Sequence, residues 1–138
     1  MIPVWVDEQV VLAIHDEQLA EHGGPPGVNM GLLQSALARA QNLFAHEEAD
    51  IFRLCAAYAF RLAKGHAFVD GNKRTSLVAT ELFLALNGYE LRASDGECLD
   101  VWLAIAGGAL SEGDFVLWVK RQVVPAPTHE LRESSRTE

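Results

Sequence analysis

Residues 51–88 read IFRLCAAYAFRLAKGHAFVDGNKRTSLVATELFLALNG, two apolar segments joined by a short polar stretch. In the first segment, apolar residues recur every three or four positions, which is the spacing of one buried helix face. It closes with Lys64 and Gly65, a basic last turn followed by a glycine, as helices commonly do. The second segment, residues 75–86, is apolar almost all round and predicts a central, buried helix.

The flanking sequence also favours helices over strands. All five prolines lie outside residues 28–124, so none interrupts a helix within that range. Apolar spacing predicts a helix over residues 7–21 and another over 29–43, which Asn29 can cap. Two further helix starts have the spacing of a capping box, Ser94 with Glu97 and Ser111 with Asp114. Residues 89–92 are the candidate strand, and we predict an all-α bundle of about six helices.

Composition divides the chain into one domain and a tail. Residues 1–124 are long enough to build a single hydrophobic core. Residues 125–138 are rich in Pro, Ser, Glu and Arg and have few apolar side chains, which predicts a disordered C-terminal tail.

Charge, hydropathy and cysteine usage argue against several functional classes. The net charge of −8 disfavours direct binding to nucleic acid or to anionic membranes, because phosphate groups would repel the protein. No apolar run reaches the roughly 20 residues that span a bilayer, and the N-terminus lacks the basic stretch of a signal peptide. Cys55 and Cys98 have no metal-ligand spacing, and Cys55 has the apolar neighbours of an inert buried thiol. We expect a protein of the reducing cytoplasm.

The polar stretch between the two central segments, residues 66–74, reads HAFVDGNKR. Gly71 permits a positive φ angle, and a helix that starts near Asn72 leaves its first amide groups unpaired. Those amides and the helix dipole form an anion-binding site, to which Lys73 and Arg74 add positive charge. The alternative is a plain glycine turn before a helix whose charged residues face water.

Asp70 and His66 supply two further groups that phosphate chemistry needs. Asp70 could ligate Mg²⁺, which takes one or two carboxylates together with phosphate oxygens, or it could only cap the next helix. His66 could accept the proton of an attacking hydroxyl, or it could be a structural or merely exposed histidine. Phe68 suits an apolar anchor for the loop. Together these residues match the parts needed for phosphoryl or nucleotidyl transfer.

The same stretch resembles the signature of the Fic/Doc superfamily, His-x-Phe-x-Asp/Glu-Gly/Ala-Asn-Gly/Lys-Arg. Lysine at position 73 marks the Doc branch, the death-on-curing toxins, since most Fic proteins carry glycine there. The resemblance covers about residues 4–122, and it includes residues 13–16, 22–27 and 82–88 in the same order. It implies a Fic fold, an all-helical bundle with the motif between two central helices.

The resemblance also implies roles for the motif residues. His66 is then the general base and Asp70 the Mg²⁺ ligand. Phosphate binding falls to the amides of Gly71, Asn72 and Lys73 and to the side chains of Lys73 and Arg74, and Asn72 also orders the loop. The segment Phe44 to Glu48 is expected to be the flap that positions the target, and His15 and Asp16 are weaker candidates for the neighbourhood of the site.

Doc toxins transfer the γ-phosphoryl group of ATP to a threonine of elongation factor Tu and so stop translation, and a cognate antitoxin silences them. The Lys73 side chain would obstruct the pocket that glycine leaves for a second phosphate, so that ATP is held the other way round. We therefore expect an ATP- and Mg²⁺-dependent kinase toxin. The alternatives are a protein AMP transferase of Fic type and a catalytically silent module that only binds an antitoxin.

Overall fold

The computed structural model describes residues 1–126, which form six helices and one two-stranded antiparallel sheet. The helices are α1 (Glu8–His22), α2 (Met30–His46), α3 (Ile51–Lys64), α4 (Asn72–Leu86), α5 (Asp95–Ala106) and α6 (Glu112–Gln122). The strands are β1 (Tyr89–Leu91) and β2 (Val123–Pro125). The prediction of an all-α bundle of about six helices is confirmed.

Side-chain caps set where five of the six helices begin. The caps are Asp7, Asn29, Asp50, Ser94 and Ser111, and each accepts a hydrogen bond from the backbone N–H three residues later. Such a bond pairs one of the amides that a helix N-terminus otherwise leaves free. The predicted caps at Asn29 and Ser94 are confirmed, and Ser94 forms a complete capping box with Glu97.

The core lies around α3 and α4, which pack against each other at the centre of the bundle. In α3, ten of the 14 residues are buried, and α2, α5 and α6 pack on its other faces. Aromatic rings link the layers: Tyr58 meets Phe83 at 4.7 Å between centroids, and Trp102 meets Phe115 edge to face at 5.4 Å. Burial raises the pKa of the Cys55 thiol far above its ordinary value, as expected of an inert core cysteine.

The domain boundary predicted after Val124 falls inside strand β2. Pro125 pairs with Tyr89, and the amide of Ala126 donates to the carbonyl of Gly88. The ordered domain therefore extends past residue 124, because β1 offers hydrogen-bonding partners that the tail composition does not reveal. The remainder of the predicted tail, residues 127–138, lies outside the described residues.

Across residues 1–126, no helix combines the length and the apolar character needed to cross a bilayer. This agrees with the reading of the sequence, in which no apolar run is long enough.

A buried hydroxyl ties α3, α4 and α5 together. Ser76 Oγ donates to the carbonyl of Ala59 at 2.7 Å and accepts from the indole Nε1–H of Trp102 at 2.9 Å. All three residues are almost completely inaccessible to solvent. One small polar side chain thus pairs the buried Trp102 N–H and places its own hydroxyl proton on a backbone carbonyl.

Replacing Ser76 by alanine should lower the free energy of unfolding by about 1–3 kcal/mol, because it leaves the Trp102 N–H buried without an acceptor. Thr80 is the matched control, since it is equally buried on the same helix and its hydroxyl has no partner among the described residues. Thr80→Val should leave stability unchanged or raise it. Urea unfolding of the two variants measures both effects, and equal losses would contradict the role of the Ser76 hydroxyl.

Candidate active site

The motif forms the connection between the two central helices, as the resemblance predicts. α3 ends at Lys64, α4 begins at Asn72, and the residues between them line one side of a cleft of about 560 Å³. We call this the active cleft. Its lining residues come from the end of α3, the loop, the start of α4 and one face of α5: Ala63, Lys64, His66, Val69, Asp70, Gly71, Asn72, Lys73, Arg74, Leu99, Leu103 and Ala106.

The Asn72 side chain closes the loop onto the start of α4. Its Oδ1 accepts from the backbone N–H of Phe68 at 3.1 Å, and its Nδ2 donates to the carbonyl of the same residue at 2.8 Å. An amide is the only uncharged side chain that offers a donor and an acceptor side by side in this way. These two bonds support the loop-ordering role predicted for Asn72.

Phe68 anchors the loop to the core of the domain, as the sequence suggests. Its ring is buried and stacks on His15 of α1, with 3.8 Å between centroids and 13° between planes. His15 Nε2 also donates to the carbonyl of Asp70 at 2.8 Å. His15 therefore lies directly behind the loop as a buried support. Asp16 on the same helix is exposed, and within residues 1–126 it forms no hydrogen bond or ion pair with the motif.

The N-terminus of α4 is open toward the active cleft. Gly71 adopts the left-handed conformation with φ 83°, and no side chain within residues 1–126 caps the helix. The Gly71 amide donates to Asp70 Oδ1 at 2.8 Å, and the intrahelical bonds begin with Thr75 donating to the Gly71 carbonyl. The amides of Asn72 and Lys73 precede the first intrahelical donor, so they are the groups positioned to bind an anion.

His66 and Asp70 lie on the same cleft as this helix end. His66 is exposed, and it is the one non-glycine residue with a positive φ angle in residues 1–126, at 52°. Asp70 is exposed too, and its Oδ1 is held by the Gly71 amide. The sequence left open that Asp70 only caps the next helix. In the structure its side chain does not cap α4, so that alternative is wrong.

The connection between α1 and α2 pairs with the motif. The amide of Asn29 donates to the carbonyl of Ala67 at 2.7 Å, and the amide of Val69 donates to the carbonyl of Gly27 at 3.1 Å. Val28 and Phe68 form an isolated antiparallel bridge between these bonds. A side chain at Gly27 would collide with Val69, which explains the glycine at this close approach.

The placement of the flap at Phe44 to Glu48 was wrong. That segment adjoins the start of α3, whereas the motif follows the end of α3, about 20 Å away along a helix of 14 residues. Residues 23–29 hold the position next to the motif instead. Their glycines and prolines mark a loop in the sequence, but only the backbone pairing with residues 67–69 shows which loop adjoins the site.

A second cleft of about 270 Å³ adjoins the active cleft, and we call it the side cleft. Lys73, Arg74 and Leu99 line both clefts. The other residues of the side cleft come from α1, α4 and α5: Gln18, His22, Leu77, Val78, Asp95 and Trp102. Lys73 and Arg74 therefore lie between the cleft that contains His66 and a second, more apolar one.

The model of the Fic/DOC family matches residues 5–84, which include the motif, all of α3 and α4 as far as Leu84. The chain belongs to the Fic/DOC family. A curated member of similar sequence is the protein kinase doc of Escherichia phage P1, which is 35% identical over 108 residues, with 77% of this chain and 85% of the phage protein aligned.

A second relative within the Fic/DOC family is the toxin Doc of Mycolicibacterium smegmatis. It is 43% identical over 65 residues, which are 46% of this chain and 50% of that protein. Both relatives carry the name Doc, in agreement with Lys73 as the mark of that branch. The helical architecture and the family resemblance predicted from the sequence are thus confirmed.

Asn72→Ala should release the loop from α4, because it removes both hydrogen bonds to Phe68. Loss of a bond worth about 1.4 kcal/mol should speed hydrogen exchange of the Phe68 amide about tenfold. Exchange followed by NMR measures this effect. Asn42→Ala, at an exposed position of α2, is the control and should leave that amide unchanged. An unchanged Phe68 amide in Asn72→Ala would contradict the ordering role.

Proposed function

We propose that this protein is a toxin that acts in the cytoplasm by transferring the γ-phosphoryl group of ATP to a threonine of elongation factor Tu. The observation that carries the proposal is the convergence of His66, Asp70 and the uncapped N-terminus of α4 on one cleft. A base, a carboxylate and an anion-binding helix end are the parts that phosphoryl transfer requires. The names of the relatives, protein kinase doc and toxin Doc, support the same activity.

In the proposed reaction, His66 acts on the target hydroxyl. Its imidazole accepts the hydroxyl proton while the threonine oxygen forms a bond to the γ-phosphorus of ATP. The bond between that phosphorus and the bridging oxygen breaks, and ADP leaves with the electron pair. The exposed position of His66 on the cleft lets a protein substrate reach it.

The helix end stabilises the negative charge that develops on the transferred group. The Asn72 and Lys73 amides point along the α4 dipole, and the Lys73 and Arg74 side chains add two positive charges at the cleft. Arg74 can contact phosphate with two N–H groups, while Lys73 acts as a point charge. In this structure the Gly71 amide binds Asp70, so it contributes to phosphate binding only if that carboxylate moves.

Asp70 is the residue that would hold Mg²⁺. Within residues 1–126 no three His, Cys, Asp or Glu side chains cluster as a complete metal site. A single exposed carboxylate fits Mg²⁺ nevertheless, because this ion takes one or two protein carboxylates and completes its shell with phosphate oxygens and water. When bound, Mg²⁺ would neutralise charge on the phosphates of ATP.

The proposed regulator is a cognate antitoxin that binds the toxin and blocks its activity. The names of the two relatives are those of a kinase and a toxin, which support a partner of this kind for this chain as well. An AMP transferase and a silent antitoxin-binding module are the rival functions, and each leads to a distinct outcome in the experiments below.

Incubation with ATP, Mg²⁺ and elongation factor Tu should add the mass of one phosphate to the factor, as intact-protein mass spectrometry would show. His66→Ala should abolish this gain because it removes the proposed base, and it should also abolish growth arrest on expression. His46→Ala, an exposed histidine at the end of α2 that lines neither cleft, is the control and should keep the phosphate gain.

A gain of one AMP in the same experiment would identify nucleotidyl transfer. Growth arrest that persists in His66→Ala, with a native circular dichroism spectrum, would favour toxicity by binding. Growth arrest with an unmodified factor would mean that the target is another protein.

Lys73→Gly should shift the product from phosphate toward AMP, because it opens the pocket for a second phosphate that the lysine side chain obstructs. The same mass measurement on the target reports the ratio of the two products. Lys64→Gly removes another lysine of the active cleft and should leave the product unchanged. An unchanged ratio of phosphate to AMP in Lys73→Gly would overturn this account of the lysine.

A further inference from the structure

The side cleft adjoins the active cleft at two cationic residues of α4. Lys73 and Arg74 line both clefts, and beyond them α4 presents Leu77 and Val78. Because an α-helix rises about 1.5 Å per residue, these two apolar residues lie about 6–8 Å past Lys73 along the helix axis. A catalytic histidine, a pair of cations and an apolar recess therefore follow one another in a row.

This order of groups corresponds to the order of parts in a nucleoside triphosphate. We propose that the side cleft binds the adenosine of ATP, with the triphosphate lying across Lys73 and Arg74 and the γ-phosphate beside His66. The inference rests on the proposed kinase function and assigns the nucleoside site that this function needs.

The lining of the side cleft suits a nucleoside. Its volume of about 270 Å³ is just below the range for whole small-molecule sites, about 300–1,000 Å³, as expected of a site that holds only the nucleoside part of the ligand. Trp102 is almost fully buried and its indole N–H is already bound to Ser76, so its ring forms a fixed apolar wall. In front of it, the partly exposed side chains of Leu77 and Val78 offer the apolar surface for the flat face of a purine.

Two polar side chains give this cleft a means to select adenosine. The Gln18 amide on α1 carries a donor and an acceptor, which match the N7 and N6 groups of adenine. The Asp95 carboxylate on α5 can accept hydrogen bonds from the ribose hydroxyls, as carboxylates do in dinucleotide-binding folds.

The opposite orientation would place adenosine in the active cleft, where it would obstruct the target. That cleft is flanked by the exposed side chains of Val69, Leu99 and Leu103, which are 66%, 58% and 49% accessible. Exposed apolar groups around a catalytic histidine suit contact with a protein substrate. With the nucleoside in the side cleft, this entrance stays open to the target hydroxyl.

Isothermal titration with ATP and with inorganic tripolyphosphate, both in the presence of Mg²⁺, separates the nucleoside site from the phosphate site. Gln18→Trp should fill the side cleft and weaken ATP binding about tenfold or more, while tripolyphosphate binding stays unchanged. Ala106→Trp places the same bulk in the active cleft, where only phosphate is expected, so it should change the affinities for ATP and for tripolyphosphate by the same factor.

Three results would count against the inference. Loss of ATP binding in Ala106→Trp, with Gln18→Trp unaffected, would place adenosine in the active cleft. Equal affinity of the wild type for ATP and tripolyphosphate would mean that no nucleoside site exists. A wild type that binds neither ligand would overturn the proposed function itself.

Photolabelling of the unmodified protein with 8-azido-ATP keeps the inference testable if Gln18→Trp does not fold. Peptide mapping should place the label on residues 18–22, 77–78 or 95–102, which line the side cleft. A label confined to residues 63–69 or 103–106, which lie only on the active cleft, would overturn it.

Discussion

The two hydrogen bonds between the Asn72 amide and the Phe68 backbone are the interaction on which the site depends. Asn72 is the first residue of α4, so these bonds fix the loop to the helix whose first amides have no side-chain cap in the described residues. Phe68 is held in turn by the stacked ring of His15. Because both ends of the loop are fixed, His66 and Asp70 share one cleft with the end of α4.

Two features of the site lower its local stability relative to the rest of the domain. Among the helices of residues 1–126, only α4 begins without a side-chain cap, and an N-cap is worth about 1 kcal/mol. The positive φ angle of His66 is a further local cost. The packing of α3 and α4 in the core offsets both, and the uncapped amides stay available to an anion.

Local signals predicted the helices well, because their physical basis is short-range. The caps at Asn29 and Ser94 act on amides only three residues away, and the glycine after Lys64 acts on its own turn. The position predicted for the flap was wrong because it depends on pairing between residues far apart in the sequence. Backbone pairing between Val28 and Phe68 joins residues 40 positions apart, and neither segment carries a sign of its partner. Strand β2 was missed in the same way, since it depends on β1.

The sequence by itself determined the helical class, the position of the motif between two central helices and the family, because periodicity and a nine-residue motif are local properties. Only the tertiary structure decided that His15 supports the loop, that residues 23–29 border it and that Lys73 and Arg74 separate two clefts. These relations join α1, α4 and α5, and they arise when the shared core packs those helices at fixed positions. Sequence spacing does not encode such distances, since they depend on how side chains from separate helices interlock.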